Sequence, residues 1–339
     1  MACNIDGDSM FPDWLLPRDL TEFMLVLVMA LIADYIYPYH SGLMLKVHPV
    51  HTSYVTALAL YRRLPRSKAS GFLIWASITA LHVGIYGSLL YVLSNFRILW
   101  ILASAYILKV STSLRLLAIH VLNVREGLKV KDLEYARKYV SGIVRRDVSG
   151  LGEGHIASAA IESLFESLVD GFASPMLYYV FLGPIGALFQ RIVNTLDSAL
   201  GYRSEEFLQV GWLPAKADTL INYIPARLTS LLIIASCPLV GSSLVASLKT
   251  YIRDRALTLS LNSGNVMASA SGCLRIRLEK IGEYCIGREF RLPNHDDIGN
   301  AIKLWICTIA LYQSLMICIY IAYYVGIINF ISFTGLDLH

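Results

Sequence analysis

Charge is scarce in this chain. Of its 339 residues only 16% are Asp, Glu, Lys or Arg, while 55% are hydrophobic and the mean hydropathy is +0.55. A soluble domain usually carries about a quarter charged residues. The shortage therefore argues against an ordinary water-soluble fold and for a polytopic integral membrane protein. The net charge of +4 is small, and the bases sit in loops between apolar runs rather than in one stripe, so no nucleic-acid partner is expected. The six cysteines contain no CxxC pair, and Cys307 and Cys318 lie inside an apolar run. Neither a structural disulfide nor a zinc site is expected. Also missing is a basic stretch ahead of the first apolar run: "MACNIDGDSMFPDWLLPRDLTEF" does not read as a cleavable signal, and the run that follows is expected to stay as a helix.

Windows of about 20 apolar residues mark spanning helices. They fall near 20–37, 70–94, 98–120, 223–248 and 302–333. A sixth region, 172–193, is broken by Pro175 and by "GPIG" at 183–186 and reads as a kinked or re-entrant segment, which membranes tolerate where the irregular backbone is buried or lines a cavity. Basic clusters at 61–68, 125–146 and 249–291 should face the cytoplasm. Residues 125–146 alternate charge with Leu128, Val130, Leu133, Tyr139 and Val140, the pattern of an amphipathic surface helix. The fold expected is an all-α multi-pass bundle in the cell membrane. It is read as a single integral membrane domain over 1–339, with a motif core at 141–230, a C-terminal loop segment at 250–300, a polar chamber, and one segment re-entrant.

Against that apolar background the stretch "IESLFESLVDGFASP", 161–175, stands out. In a helix Glu162, Glu166 and Asp170 fall at i, i+4 and i+8 and share one face. Two readings are open: a solvated flank, or a cavity that holds a divalent metal or a cationic group. Magnesium fits the second, because it takes oxygen ligands and bridges to phosphates. Downstream, "NTLDSALGY" sets Asn194 and Asp197 on one face ahead of Gly201 and Tyr202, and "AKADTLINYIPARLTS" pairs Asp218 with Asn222 and adds Arg227. Upstream, "RRDVSGLG" offers Arg146 and Asp147 beside a Ser-Gly turn. Each motif alone reads as a capped turn; together they suit a polyanion bound with a metal. His48 and His51 flank a proline, which disfavours a helical metal pair, and Asp34 either caps an interfacial end or faces the same cavity. No GxSxG, HExxH, Walker loop or GxGxxG in useful context is present, and "DGFASP" lacks the Arg that a phosphatidyl-alcohol transferase needs. One difficulty remains. If 172–193 crosses fully, the motifs before and after it fall on opposite sides.

The run from "RDVSGL" through "NTLDSALGY" to "GWLPAKADTLINYIPARLT", about 146–230, closely resembles the adenosylcobinamide-phosphate synthase family of cobalamin biosynthesis, the CobD/CbiB membrane proteins. "HPV" at 48–50 and "SGNVMASASGCLRIRLEKIGEYCIG" at 263–287 are similar to its N- and C-terminal motifs. The resemblance implies an ATP-dependent amide ligation that joins aminopropanol or its phosphate to a propionate of adenosylcobyric acid, with ATP and magnesium and no permanently bound cofactor. It also implies the bilayer as surroundings and other late-pathway membrane enzymes as neighbours. On that basis Glu162, Glu166, Asp170, Asp197 and Asp218 would supply a base or metal ligands, the metal falling to Glu166, Asp170 and Asp197. Arg146, Asp147, Asn194, Tyr202, Asn222, Arg227 and His48 would bind substrate or phosphate. The chain departs from the family pattern at Ser167, Lys216 and Thr219, where Asn, Arg and Asp are common, at Asn265 and Val266, and around Tyr37 to His40. A non-catalytic corrinoid-binding relative or a membrane carrier is the contrasting reading.

Overall fold

The computed structural model describes residues 12–202 and 204–334, with side chains through residue 324. Helix α1 (Leu20–Ile36) begins where Asp19 accepts the Glu22 N–H at 2.8 Å. A single turn, α2 (Gly42–Lys46), leads to α3 (Pro49–Tyr61), which opens on a proline whose missing N–H would have had no helical partner. Ser67 caps α4 (Lys68–Leu93) by accepting the Ser70 N–H at 3.2 Å. Next come α5 (Arg97–Ser111) and α6 (Arg115–Lys129), then α7 (Leu133–Val140), α8 (Glu153–Leu168) and α9 (Ser174–Leu200). They are followed by α10 (Trp212–Ile221), α11 (Tyr223–Ser236), α12 (Leu244–Asp254) and α13 (Ser263–Leu274). A two-stranded antiparallel hairpin, β1 (Leu278–Lys280) with β2 (Tyr284–Ile286), precedes the long α14 (His295–Thr334).

Five helical stretches of the described residues are long and apolar enough to cross a membrane: Lys68–Leu93, Arg97–Lys129, Glu153–Leu200, Tyr223–Val240 and His295–Tyr324. The protein is an all-α polytopic membrane bundle. Their boundaries correct the sequence expectations in places. The segment expected at 20–37 forms the 17-residue α1, about 26 Å long at 1.5 Å per residue, a little short of a hydrocarbon core. The segment expected at 98–120 breaks at Thr112–Leu114, and that at 223–248 ends in a 3-10 turn, Cys237–Val240, closed by Gly241 at φ 72°. The amphipathic stretch 125–146 is a helical hairpin instead of one helix: α7 turns back on α6 after Lys131 adopts φ 61°, burying Leu128 and Val140 and leaving Val130 exposed. The absence of a structural disulfide is also overturned, because Cys237 pairs with Cys273 where α11 and α13 pack together, with Cα atoms 5.6 Å apart. The partners are 36 residues apart, so no local motif announces them.

The region 153–200 decides the architecture. A one-turn π bulge at Val169–Ala173 joins α8 to α9. Such a bulge frees carbonyls from the helical ladder, and neighbours take them up: Ser113 N–H donates to Gly171 O at 2.9 Å and the Tyr312 hydroxyl to Ala173 O at 2.8 Å. Further on, α9 is not one rod. Gly183 adopts φ 62°, ψ −161° ahead of Pro184, a conformation open essentially to glycine. Beyond it the chain doubles back, so that a Cβ on Gly186 would stand 2.5 Å from Tyr178 O; in a straight helix residues eight apart are separated by about 12 Å. The expected re-entrant or kinked segment is thus a tight fold-back. A Cβ on Gly183 would also meet Leu15 O at 1.9 Å. Gly183→Ala is expected to destabilise the protein by about 2 kcal/mol or more, read as a lowered thermal midpoint in detergent. Gly84→Ala, whose Cβ would meet nothing within 4 Å, should leave the midpoint in place.

Candidate functional site

Asp170 lies thirteen residues before Gly183 and Asp197 fourteen after it, so the fold-back returns them to the same level. The short α10 then lies against α9 and adds Asp218. Helix α8 contributes Glu162 and Glu166, the loop before it Arg145 and Arg146, and the β hairpin Lys280 and Tyr284. These groups line two adjoining cavities of about 600 and 580 Å³, which share Arg145, Glu166, Asp170, Asp197, Lys280 and Tyr284 and so form one chamber. Both volumes fall in the range of small-molecule sites.

Within the chamber the carboxylates divide by partner. Glu162 is fully engaged: one oxygen accepts from Ser158 Oγ at 2.5 Å, the other from Tyr284 OH at 2.7 Å, and Arg146 forms an ion pair with it at 3.1 Å. Ser158 Oγ also takes the Glu279 N–H at 2.9 Å, which docks the hairpin on α8. Burial and the Glu162 carboxylate push the Tyr284 phenol well above its ordinary range, so it remains a donor. Asp218 is held by amides. Its Oδ1 accepts from Asn222 Nδ2 at 2.8 Å and Asn194 Nδ2 at 3.1 Å, and Asn222 is itself fixed by Gln190 Nε2 at 3.0 Å. Burial, with Asp197 close by, raises the Asp218 carboxyl to about 7, against the lowering effect of the two amides. Glu166, Asp170 and Asp197 face the chamber and, among the described residues, form no ion pair within 4.0 Å. Asp197 lies against Gly201, where a Cβ would stand 1.9 Å from its Oδ1.

Other expected residues sit elsewhere. Arg227 stacks on the Tyr223 ring at 3.3 Å and donates to Asn262 Oδ1 and Leu261 O, fastening the loop before α13 instead of lining the chamber. Asp147 is exposed and caps its own turn through Ser149 N at 2.9 Å, which lowers its carboxyl. Tyr202 lies under Arg145, 5.2 Å from ring centroid to guanidinium. Asn222 acts through Asp218. His48 opens on a third cavity of about 480 Å³ that meets the chamber at Arg191 and Asn194; burial and the neighbouring His40 and Lys109 lower its imidazole to about 3. Asp34 caps α6, accepting Arg115 N–H at 2.9 Å, and lines that third cavity. Sequence reasoning missed Arg145, Arg191, Lys280 and Tyr284. Arg191 alone carried a signal, a lone charge inside an apolar run.

Carboxylate oxygens are the donor type that a hard ion such as magnesium takes, but Arg145, Arg146, Arg191 and Lys280 line the same space and compete for them. Among the described residues no group of three His, Cys, Asp or Glu is placed to hold one metal ion, so these side chains do not form a complete metal site by themselves.

A polytopic all-α membrane protein with an acidic, arginine-edged chamber at a helical fold-back is the class these features define. The chain belongs to the family described as CobD/Cbib protein, whose pattern it matches over residues 27–305. It is 42% identical over 292 residues to a probable cobalamin biosynthesis protein CobD of Aeropyrum pernix, covering 85% of this chain and 90% of that one. Proteins of the same description from Methanothermobacter thermautotrophicus and Thermoplasma volcanium are 38% identical over 212 residues (62% and 71% covered) and 35% over 263 (76% and 86%). No solved structure matches the chain.

Breaking a buried ion pair from one side leaves an uncompensated charge, at about 3 kcal/mol or more. Arg146→Ala is expected to destabilise by that order, and adding Glu162→Gln should recover part of the loss. A double-mutant cycle on unfolding in mixed micelles measures the coupling.

Proposed function

We propose that the protein is an ATP-dependent amide ligase of cobalamin biosynthesis in the cell membrane, joining (R)-1-amino-2-propanol or its O-phosphate to a propionate of adenosylcobyric acid. The observation that supports this reading most is the convergence of Glu166, Asp170, Asp197 and Asp218 with Arg145, Arg146, Arg191 and Lys280 on one chamber. That inventory suits phosphate and ammonium together. An ion pathway would spread its carboxylates over several spans without such cations.

A carboxylate is a poor acyl donor. Transfer of a phosphoryl group from ATP to the propionate oxygen gives an acyl phosphate and ADP; the amine then attacks the acyl carbon, and inorganic phosphate leaves. Phosphoryl transfer calls for alignment and charge stabilisation more than for an enzyme nucleophile. Arg146, held by Glu162, and its neighbours Arg145, Arg191 and Lys280 stabilise negative charge on the transferring group. The incoming ammonium must lose a proton before it attacks, and Asp218, fixed by Asn194 and Asn222, is the acceptor assigned here. Magnesium, brought with the nucleotide, would be attracted to the acidic wall that Glu166, Asp170 and Asp197 form, which does not make a three-ligand site by itself, and would neutralise phosphate charge.

Purified protein incubated with adenosylcobyric acid, ATP, magnesium and either amine should give an amide adduct detectable by mass, with ADP released. Asp218→Asn should slow amide formation by about 100-fold or more, and Asp197→Ala should abolish it. Corrinoid binding without product from either amine would replace this reading with that of a non-catalytic corrinoid-binding relative.

A further inference from the structure

Helix α12 is amphipathic in the sense opposite to that of a helix in water. Its inward side, packed on α13, is polar: Ser247, Thr250, Tyr251 and Asp254 are buried there. Ser247 Oγ donates to Ser269 O at 2.7 Å and the Tyr251 hydroxyl to Asn265 Oδ1 at 3.2 Å, while Asp254 Oδ2 accepts the Gly287 N–H at 2.8 Å. The outward side is apolar. Leu244, Val245, Leu248 and Ile252 are between 38% and 65% exposed, and at about 100° per residue they fall in a single sector of the helix. Lys249 and Arg253, both exposed, border that sector along one edge, and Arg253 pairs with Glu289 at 2.8 Å. Four aliphatic side chains turned out together would gain by leaving water, and an apolar patch rimmed by charge marks a contact with something apolar.

What lies opposite this face follows from where α12 starts. The apolar span Tyr223–Val240 ends in the 3-10 turn closed by Gly241, and Leu244 stands four residues after Val240. Four residues reach at most about 14 Å, so α12 begins close to the membrane boundary. The exposed apolar surface of the span, at Leu231 and Leu239, is thus followed within a few residues by that of α12. We propose that α12 is an in-plane membrane anchor, its apolar side sunk into the leaflet on the chamber's side and Lys249 and Arg253 at the level of the lipid phosphates. A helix of this kind buries its apolar face about 5–10 Å into the boundary between headgroups and acyl chains, with basic residues along its polar edge. A protein partner suits the stripe less well: it adjoins a span whose surroundings are lipid, and it lacks the aromatic side chains on which protein interfaces rely. Seating α12 in lipid also bears on the chamber. Ser263 and Met267, on the α13 helix that α12 braces, line it, so the membrane holds the outer support of one chamber wall, whatever reaction the chamber carries out.

The test is a depth measurement on the full chain in nanodiscs of phosphatidylcholine with phosphatidylglycerol. Cys3, Cys285, Cys307 and Cys318 are changed to Ser and the Cys237–Cys273 bridge is kept. In that background Leu248→Cys, Ile252→Cys, Leu231→Cys and Asp296→Cys each take a nitroxide label, and relaxation by oxygen, which concentrates in hydrocarbon, is compared with relaxation by a water-soluble nickel chelate. Asp296, exposed in the first turn of α14, gives the aqueous reference, and Leu231 on the span gives the lipid reference. Labels at 248 and 252 should lose nickel relaxation to the level found at 231 and gain oxygen relaxation over that at 296. Nickel relaxation at 248 and 252 as strong as that at 296 overturns the anchor. Shielding from both reagents overturns it as well, because a protein then covers the face; dipolar broadening between labels would identify that protein as a second copy of this chain. A second reading needs no cysteine replacement: in the chain with its native cysteines, Leu248→Trp should add fluorescence that lipids brominated on their acyl chains quench, and added fluorescence that these lipids leave unquenched counts against the anchor.

Discussion

The fold-back at Gly183 is the constraint on which the rest depends. Were α9 a continuous rod, Asp197 would lie about 40 Å beyond Asp170, and no chamber could hold both. Reversal is possible because residue 183 has no Cβ: its backbone angles suit glycine, and Leu15 O occupies the place a side chain would need. The other end of the arm is anchored just as firmly. The π bulge carrying Asp170 gives up two carbonyls, and α14 claims one through Tyr312 while the α5–α6 turn claims the other through Ser113. A bulge left with open carbonyls in an apolar bundle would cost several kcal/mol; the same bulge with its carbonyls taken becomes a three-way joint that fixes where Asp170 stands.

Electrostatics then separates the carboxylates of the chamber into two kinds. Glu162 shows how this bundle satisfies a carboxylate it means to bury: Ser158, Tyr284 and Arg146 surround it, and the hairpin is docked in the process. Glu166, Asp170 and Asp197 receive no such treatment. They face the open chamber, and among the described residues no cation pairs with them within 4.0 Å. The neighbouring cavity is of mixed sign: Lys109 and Arg191 line it together with Asp34.

Sequence periodicity revealed what depends on helical repeat and composition. The stripe Glu162, Glu166, Asp170, the pairing of Asp218 with Asn222, and the broken apolar segment at Pro175 to Gly186 are all local patterns, and each has its counterpart in the structure. Hydropathy windows overran at 98–120 and 223–248 because they register composition and are blind to backbone angles at Thr112 or Gly241. Arg227 looked like a phosphate clamp from its place beside Asp218 and Asn222, yet one turn further around the helix its guanidinium reaches the Asn262 loop. Lys280, Tyr284 and the Cys237–Cys273 bridge were illegible for a different reason. They reach their partners across long separations, through packing of α13 and the hairpin against α8 and α11, and nothing at either end of such a contact marks it in sequence.

The departures from the family pattern gain meaning from where they fall. Ser167 lines one part of the chamber, and Lys216 and Thr219 line the other. At 216, where the resemblance leads one to expect arginine, lysine keeps the positive charge and gives up only the planar fork. At 219 the change is larger, since a carboxylate would be lost; the Thr219 hydroxyl turns back to Ala215 O at 2.7 Å and adds no acceptor charge to the space. Losing one anion beside Asp218 lessens repulsion at the carboxylate that two amides hold in place, and it does so without disturbing Asn194, Asn222 or Gln190. The three positions thus retune the wall of the chamber and leave standing the network that aims Asp218.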